Sequence, residues 1–182
     1  MAGVPLLTSA EASGKAAEVM ASIEETGRVL PILRAVANAQ TAFPHFVRYS
    51  ASLVYRLSLP ARLRELVIMR AAAHVRSRYE WGEHYDFALG AGVTEEELRA
   101  LAAGVVPATL TSDERDVLAL ADSLLSGTTH GRDELVEKLT GHLGHQQYTE
   151  LALVVGWWCG CVPAMIDMLG LEADAPTVTV AL

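Results

Sequence analysis

The stretch Leu63-Arg-Glu-Leu-Val-Ile-Met-Arg-Ala-Ala-Ala-His-Val-Arg-Ser-Arg-Tyr-Glu-Trp-Gly-Glu-His84 decides the fold. It reads as one helix that runs out near residue 75, a break at Arg76 and Ser77, and a second helix from residue 78. Ser77 and Glu80 have the spacing of a capping box, in which a hydroxyl and a carboxylate three residues apart reciprocally satisfy backbone donors at a helix start. The same signature stands at Thr8 and Glu11, at Thr94 and Glu97, and at Thr111 and Glu114. Stops come at Gly27, Gly90 to Gly92, Gly104 to Pro107, Gly127 and Gly141 to Gly144, because glycine takes the left-handed conformation a helix end often requires. These signals predict helices over 9–25, 32–39, 42–57, 61–75, 78–90, 94–103, 112–125, 132–142 and 145–168. The fold class is all-α, a single-domain helical bundle. Only the tail Thr177-Val-Thr-Val180 alternates like a strand.

Residues 62–70 and 147–155 are distant copies, at an offset that aligns Glu65 with Glu150. At that offset Glu80 faces Met165 and His84 faces Leu169, so the degenerate second copy is apolar where the first is ionisable. Only the first copy is equipped for chemistry.

A chain of 182 residues is the length of one domain and long enough to hold a core without disulfide or metal staples. The formal net charge of −8 opposes a phosphate backbone, so no nucleic acid is expected as a partner. No basic segment followed by an apolar one opens the sequence, which predicts a cytoplasmic protein. The apolar stretch Leu151 to Ile166 is shorter than the roughly 20 residues of a membrane span. It contains Gly156, Gly160 and Pro163 and reads as a buried core helix. Cys159 and Cys161 point to different faces of a helix at about 100° per residue, which argues against a disulfide or a zinc site. His45, His74, His130, His142 and His145 show no ligand spacing, so no metal site is expected. An apolar content of 51% is high for a small acidic monomer and suggests a buried subunit interface.

Glu80 and His84 lie four apart on one helix and share a face. An imidazole beside carboxylates titrates near neutrality, raised by their charge and lowered by burial. Two acids around one pocket, Glu65 and Glu80, can divide the roles of proton donor and base. Each residue also has a plain structural reading: Glu80 as the third residue of a cap, His84 as a surface partner of Glu80, and Glu65 as a partner of Arg62 or Arg64.

The order of residues 63–84, with Ala91-Gly-Val-Thr-Glu-Glu-Glu-Leu98 after it, resembles the carboxymuconolactone decarboxylase family, which includes the alkyl hydroperoxidase D-like proteins. The family pattern is a helix with Arg-Glu-Leu, then two cysteines three apart, then a histidine four residues later. Here Ser77 and Glu80 stand at the cysteine places, while Glu65 and His84 occupy the places of the relay carboxylate and histidine. The resemblance implies an alkyl hydroperoxidase D-like domain over 30–172, between an N-terminal helical arm (1–29) and a tail (173–182). It implies a homo-oligomer, a trimer or hexamer. It further implies a cofactor-independent lyase, or a related isomerase or cyclase, acting on a small carboxylated, enolisable ring such as a lactone. Glu65, Glu80 and His84 would be its catalytic groups. Loss of CO2 leaves a dienolate that needs a proton on carbon and support on oxygen, for which Arg76, Arg78 and Tyr79 are the substrate-binding candidates. The alternative is a non-catalytic small-molecule-binding or assembly module on the same scaffold.

A dithiol peroxidase needs one thiolate to attack and a second thiol to resolve, and Ser77 and Glu80 supply neither. Organic hydroperoxide with a dithiol reductant should therefore show no turnover above buffer in a coupled peroxidase assay. Robust turnover abolished by Cys159→Ser or Cys161→Ser would contradict this.

Overall fold

A computed structural model describes residues 3–128 and 131–171, and every regular element among them is helical. The strand-like tail at 177–180 and His130 lie outside the described residues. Two compact units divide the described chain, residues 3–56 with 165–171, and residues 57–128 with 131–164.

The first unit is built on α1 (Gly14–Glu24), α2 (Pro31–Val36) and α3 (Phe43–Tyr55) around buried Ala16, Met20, Ala37 and Phe43. Its helix starts later than the sequence predicts. Thr8 and Glu11 do bond, with the Thr8 amide and hydroxyl each donating to Glu11 Oε2 at 2.8 Å, but they close an isolated turn. Extended Ser13 and Gly14 at φ +52° then break that turn from α1.

The second unit is arranged around α4 (Ala61–Val75). This helix packs against α5 (Arg78–Gly90), α6 (Glu95–Ala102), α7 (Ser112–Leu125), α8 (Arg132–Gly156) and the π-turn Trp157–Cys161. With so many neighbours it buries successive residues from Glu65 to Met69 rather than a single stripe, the pattern of a central helix. Leu66 and Met69 join Trp81, Leu98, Leu101 and Leu118 in one core.

Arg62 fixes the start of α4. Its Nη1 and Nη2 donate to Glu97 at 3.0 and 2.8 Å, its Nε donates to Glu114 at 2.6 Å, and Nη1 also donates to the carbonyl of Gly92. Glu97 and Glu114 are the third residues of complete capping boxes with Thr94 and Thr111. Each carboxylate thus caps its own helix and grips Arg62. A cation in the first turn of a helix opposes the macrodipole, and the two carboxylates compensate it. At the other end of α4, Arg70 holds Asp122 of α7 through two bonds of 2.7 and 3.1 Å.

The second copy of the repeat uses its glutamate differently. Glu150 accepts from the Ser58 hydroxyl at 2.9 Å and the Leu59 amide at 2.7 Å, pinning the approach to α4. Gly144, at φ 71° and ψ 167°, breaks α8 where the sequence predicts a stop. The predicted helix 145–168 is correspondingly interrupted by the π-turn before α9 (Val162–Leu169). Its apolar stretch contributes to the core from one side. Leu151, Val154 and Trp158 are buried, whereas Leu153 is 42% exposed and Gly156, Gly160 and Cys161 face outward. The run Arg132–Leu169 holds an 18-residue window of mean hydropathy 1.6, of which 39% is buried. By length and composition alone it is long and apolar enough to cross a membrane.

Removing Arg62 would leave two carboxylates facing each other with no cation between them. Arg62→Ala should lower unfolding free energy at pH 7 by about 2–4 kcal/mol in urea titrations. The hydrogen bond from Arg62 holds the Glu97 carboxyl at about 2, below its ordinary 4.5. Because that value is depressed on folding, the associated stability is complete above 4.5 and is lost as pH falls towards 2. The penalty for Arg62→Ala should accordingly be smaller at pH 3 than at pH 7; equal penalties would locate the effect elsewhere.

Candidate active site

The site begins with how α4 ends. Arg76 takes the left-handed conformation, φ 55° and ψ 35°, and it is the only non-glycine residue to do so among the described residues. This turn sends the Arg76 amide to the Ala73 carbonyl at 3.2 Å and the Ser77 amide to the Ala72 carbonyl at 2.9 Å, the paired bonds of a Schellman stop. Ser77 then caps α5 by accepting from the Glu80 amide at 3.2 Å. Only the hydroxyl half of the predicted capping box forms. The reciprocal half needs the Ser77 amide, which Ala72 has taken. The Glu80 carboxylate does not accept from the Ser77 amide, and its Oε2 lies beside His84.

Glu65, Glu80 and His84 come together inside the second unit. Glu65 is fully buried and divides its oxygens: Oε1 accepts from Arg64 Nε at 2.8 Å, and Oε2 lies 3.0 Å from His84 Nδ1. The other imidazole nitrogen, Nε2, is 3.7 Å from Glu80 Oε2, too long for a hydrogen bond but close enough for strong electrostatic coupling. Donation from Nδ1 to Glu65 leaves Nε2 as the nitrogen available for exchange. Trp158, from the π-turn, meets the imidazole edge-on at a centroid distance of 5.6 Å, and Phe87 lies tilted at 5.8 Å. The His84 side chain is only 12% exposed.

Burial is the largest single influence on His84 and lowers its pKa. The hydrogen bond to Glu65, with the charges of Glu80 and Glu65, outweighs both burial and the opposing charge of Arg64. The net direction is upward from 6.5, so the imidazolium is favoured. Such a group can deliver a proton from Nε2 while Glu65 steadies the ring.

Of the residues predicted to bind substrate, Arg76 and Arg78 are exposed on the α4–α5 turn and Tyr79 is fully buried. The guanidinium that touches the cluster belongs to Arg64, which the sequence reading considers only as a salt-bridge partner for Glu65. Its place directly before Glu65 was the available signal. Trp158 lies in the stretch that the sequence reads as a buried core helix, and nothing local reveals that a π-turn brings it to His84. Neither cysteine is suited to thiol chemistry beside the imidazole. Cys161 is exposed, and burial, followed by the charge of Asp122, pushes the buried Cys159 thiol up to about 12. Among the described residues no group of three or more His, Cys, Asp or Glu side chains is placed to hold a metal ion.

Residues 40–123 match the sequence model of the carboxymuconolactone decarboxylase family. That segment contains α3 to α6, most of α7, and all of Glu65, Glu80 and His84. No curated protein is similar enough to the chain to match it.

The His84 arrangement makes a pH prediction. A histidine whose pKa is raised on folding contributes stability in full below its unfolded value of about 6.5 and loses it as pH rises through the folded value. In an NMR titration the His84 ring should titrate above the midpoint of a free histidine. Glu65→Gln, which removes the first of the raising contacts, should lower that midpoint. A midpoint unmoved by Glu65→Gln would detach the imidazole from its supposed partner.

Proposed function

We propose that the segment carrying the carboxymuconolactone decarboxylase match is a cofactor-independent acid–base catalyst, a lyase or related isomerase or cyclase, for a small carboxylated, enolisable ring such as a lactone. The observation that carries this reading is the buried Glu65–His84 pair, with Nε2 presented 3.7 Å from the carboxylate of Glu80. The family match supports decarboxylase-like chemistry at the level of class.

In the decarboxylation, the bond between the ring carbon and the carboxylate breaks and its electron pair enters the ring as a dienolate. CO2 departs. The imidazolium of His84 transfers its Nε2 proton to that carbon, and water later restores the proton, so one proton is consumed for each CO2 released. Glu65 holds Nδ1–H throughout and offsets the imidazolium charge, as a buried carboxylate does for a general acid–base histidine. Glu80, on the Nε2 side, relays the restoring proton or removes one from an enolisable position, and the second role would serve an isomerase. Trp158 and Phe87 keep water from competing for the ring, which strengthens each electrostatic contact.

The test is turnover of a panel of carboxylated lactones by paired variants. His84→Gln should lower turnover by about 10² to 10⁴ with the fold intact. Glu80→Gln, which keeps shape but cannot exchange a proton, should also lose activity. Ser77→Ala should keep most of its turnover while losing about 0.5–2 kcal/mol of stability as the cap goes. Binding of panel members without turnover by the parent protein would replace catalysis with the binding-module reading.

A further inference from the structure

The first unit contains a groove that the acid–base site does not use. It lies between α1 and α3 and encloses a volume of about 810 Å³, within the range of small-molecule pockets. Val19, Val47 and Ala51 line it with apolar surface, while Lys15, His45 and Arg48 contribute cationic or protonatable groups. Gln40 and Ser13, which also line it, are bonded to each other: Gln40 Oε1 accepts from the Ser13 amide at 3.1 Å and from the Ser13 hydroxyl.

Its charge runs against that of the whole chain. The protein carries a formal charge of −8, yet residues 26–64 include no Asp or Glu and hold Arg28, Arg34, Arg48, Arg56, Arg62 and Arg64. Arg34 lies 3.6 Å from Glu24, Arg62 is held by Glu97 and Glu114, and Arg64 by Glu65. Arg48 faces the groove exposed, and no carboxylate pairs with it among the described residues. Lys15, which lies at the groove on α1, pairs with Glu18 in full solvent, an arrangement of little energetic consequence that an incoming anion can displace.

We propose that this groove binds an amphipathic anion: one carboxylate or phosphate head on Arg48 and Lys15, and a medium-length apolar body along Val19, Val47 and Ala51. A bare inorganic anion would leave most of the volume empty, and an uncharged body would leave Arg48 without a counter-charge. The shared chemistry of head and body therefore defines the ligand, whichever head group it carries. The site is separate from Glu65, Glu80 and His84, and the proposal stands or falls independently of the catalytic reading.

The experiment is a titration of the full-length, ¹⁵N-labelled protein with octanoate, octyl phosphate, octanol and acetate, followed by amide shifts. Octanoate or octyl phosphate should move amides of α1 and α3, with octanol and acetate at least about ten-fold weaker. Arg48→Glu should weaken the anion by about ten-fold or more without changing the melting temperature. Arg48→Gln should fall between the two. Equal binding of octanol and octanoate, or an affinity unchanged by Arg48→Glu, would overturn the proposal. So would shifts confined to α4 and α5 that vanish in His84→Gln, which would send the anion to the acid–base cluster. Line broadening that grows with protein concentration and disappears in Arg48→Glu would give the groove to a second copy of the chain, and likewise overturn it.

Discussion

The backbone amide of Ser77 has one hydrogen to give, and the candidate site depends on where it goes. Given to Ala72, it completes the stop of α4 and allows α5 to begin after a single left-handed residue. The same donation leaves the reciprocal half of the capping box unformed. A tight helix–helix turn and a half-formed cap are thus two results of one hydrogen bond. Arg76 occupies a left-handed position that glycine would adopt without strain, and such strain at a site boundary is tolerated when the surroundings over-determine it. Here the two Schellman bonds, the Ser77 cap and the buried flank of α4 do so.

The helix that bears Glu65 is held as firmly as any element in the unit. Arg62 binds the capping glutamates of α6 and α7, Arg70 binds Asp122, and Glu150 pins the residues leading into α4. These contacts give Glu65 a fixed frame, from which its two oxygens serve Arg64 and His84 at once. The repeat clarifies the division of labour. In the first copy the glutamate faces an imidazole; in the second it faces the backbone of a loop. At the shared offset, the left-handed turn of the first copy corresponds to the end of the π-turn in the second, so the second copy continues as helix where the first folds back. The second copy has Met165 and Leu169 in place of the ionisable pair and contributes Trp158 to the ring of His84.

Features written in local chemistry were legible in the sequence. The boxes at Thr94 and Thr111 start helices as their spacing implies, and Gly144 breaks α8. The pairing of Glu65 with His84 came from the family resemblance, since nothing in spacing alone brings two residues on different helices together. The Thr8 box closes a turn instead of a helix because Ser13 and Gly14 depart from helical dihedrals just after it, a backbone choice its side chains do not announce. The second meaning of Glu97 and Glu114 was hidden because the cation they share lies 35 and 52 residues away. Glu80 was ambiguous for a sharper reason. Its capping and chemical readings use the same residue types at the same spacing, and the sequence does not announce that the Ser77 amide goes to Ala72.

Those separations also describe an order of assembly. Glu65 and His84 are 19 residues apart, Arg62 and Glu97 are 35, Arg70 and Asp122 are 52, and Ser58 and Glu150 are 92. Local contacts form ahead of distant ones because the entropy of closing a loop must be met before its contacts are rewarded. As the chain leaves the ribosome, α4 and α5 are complete well before the residues of the π-turn exist. The aromatic wall that Trp158 sets against the imidazole is therefore supplied by residues made after both members of the Glu65–His84 pair. Nascent and truncated chains that end before the π-turn hold every ionisable residue of the cluster without Trp158 beside the imidazole.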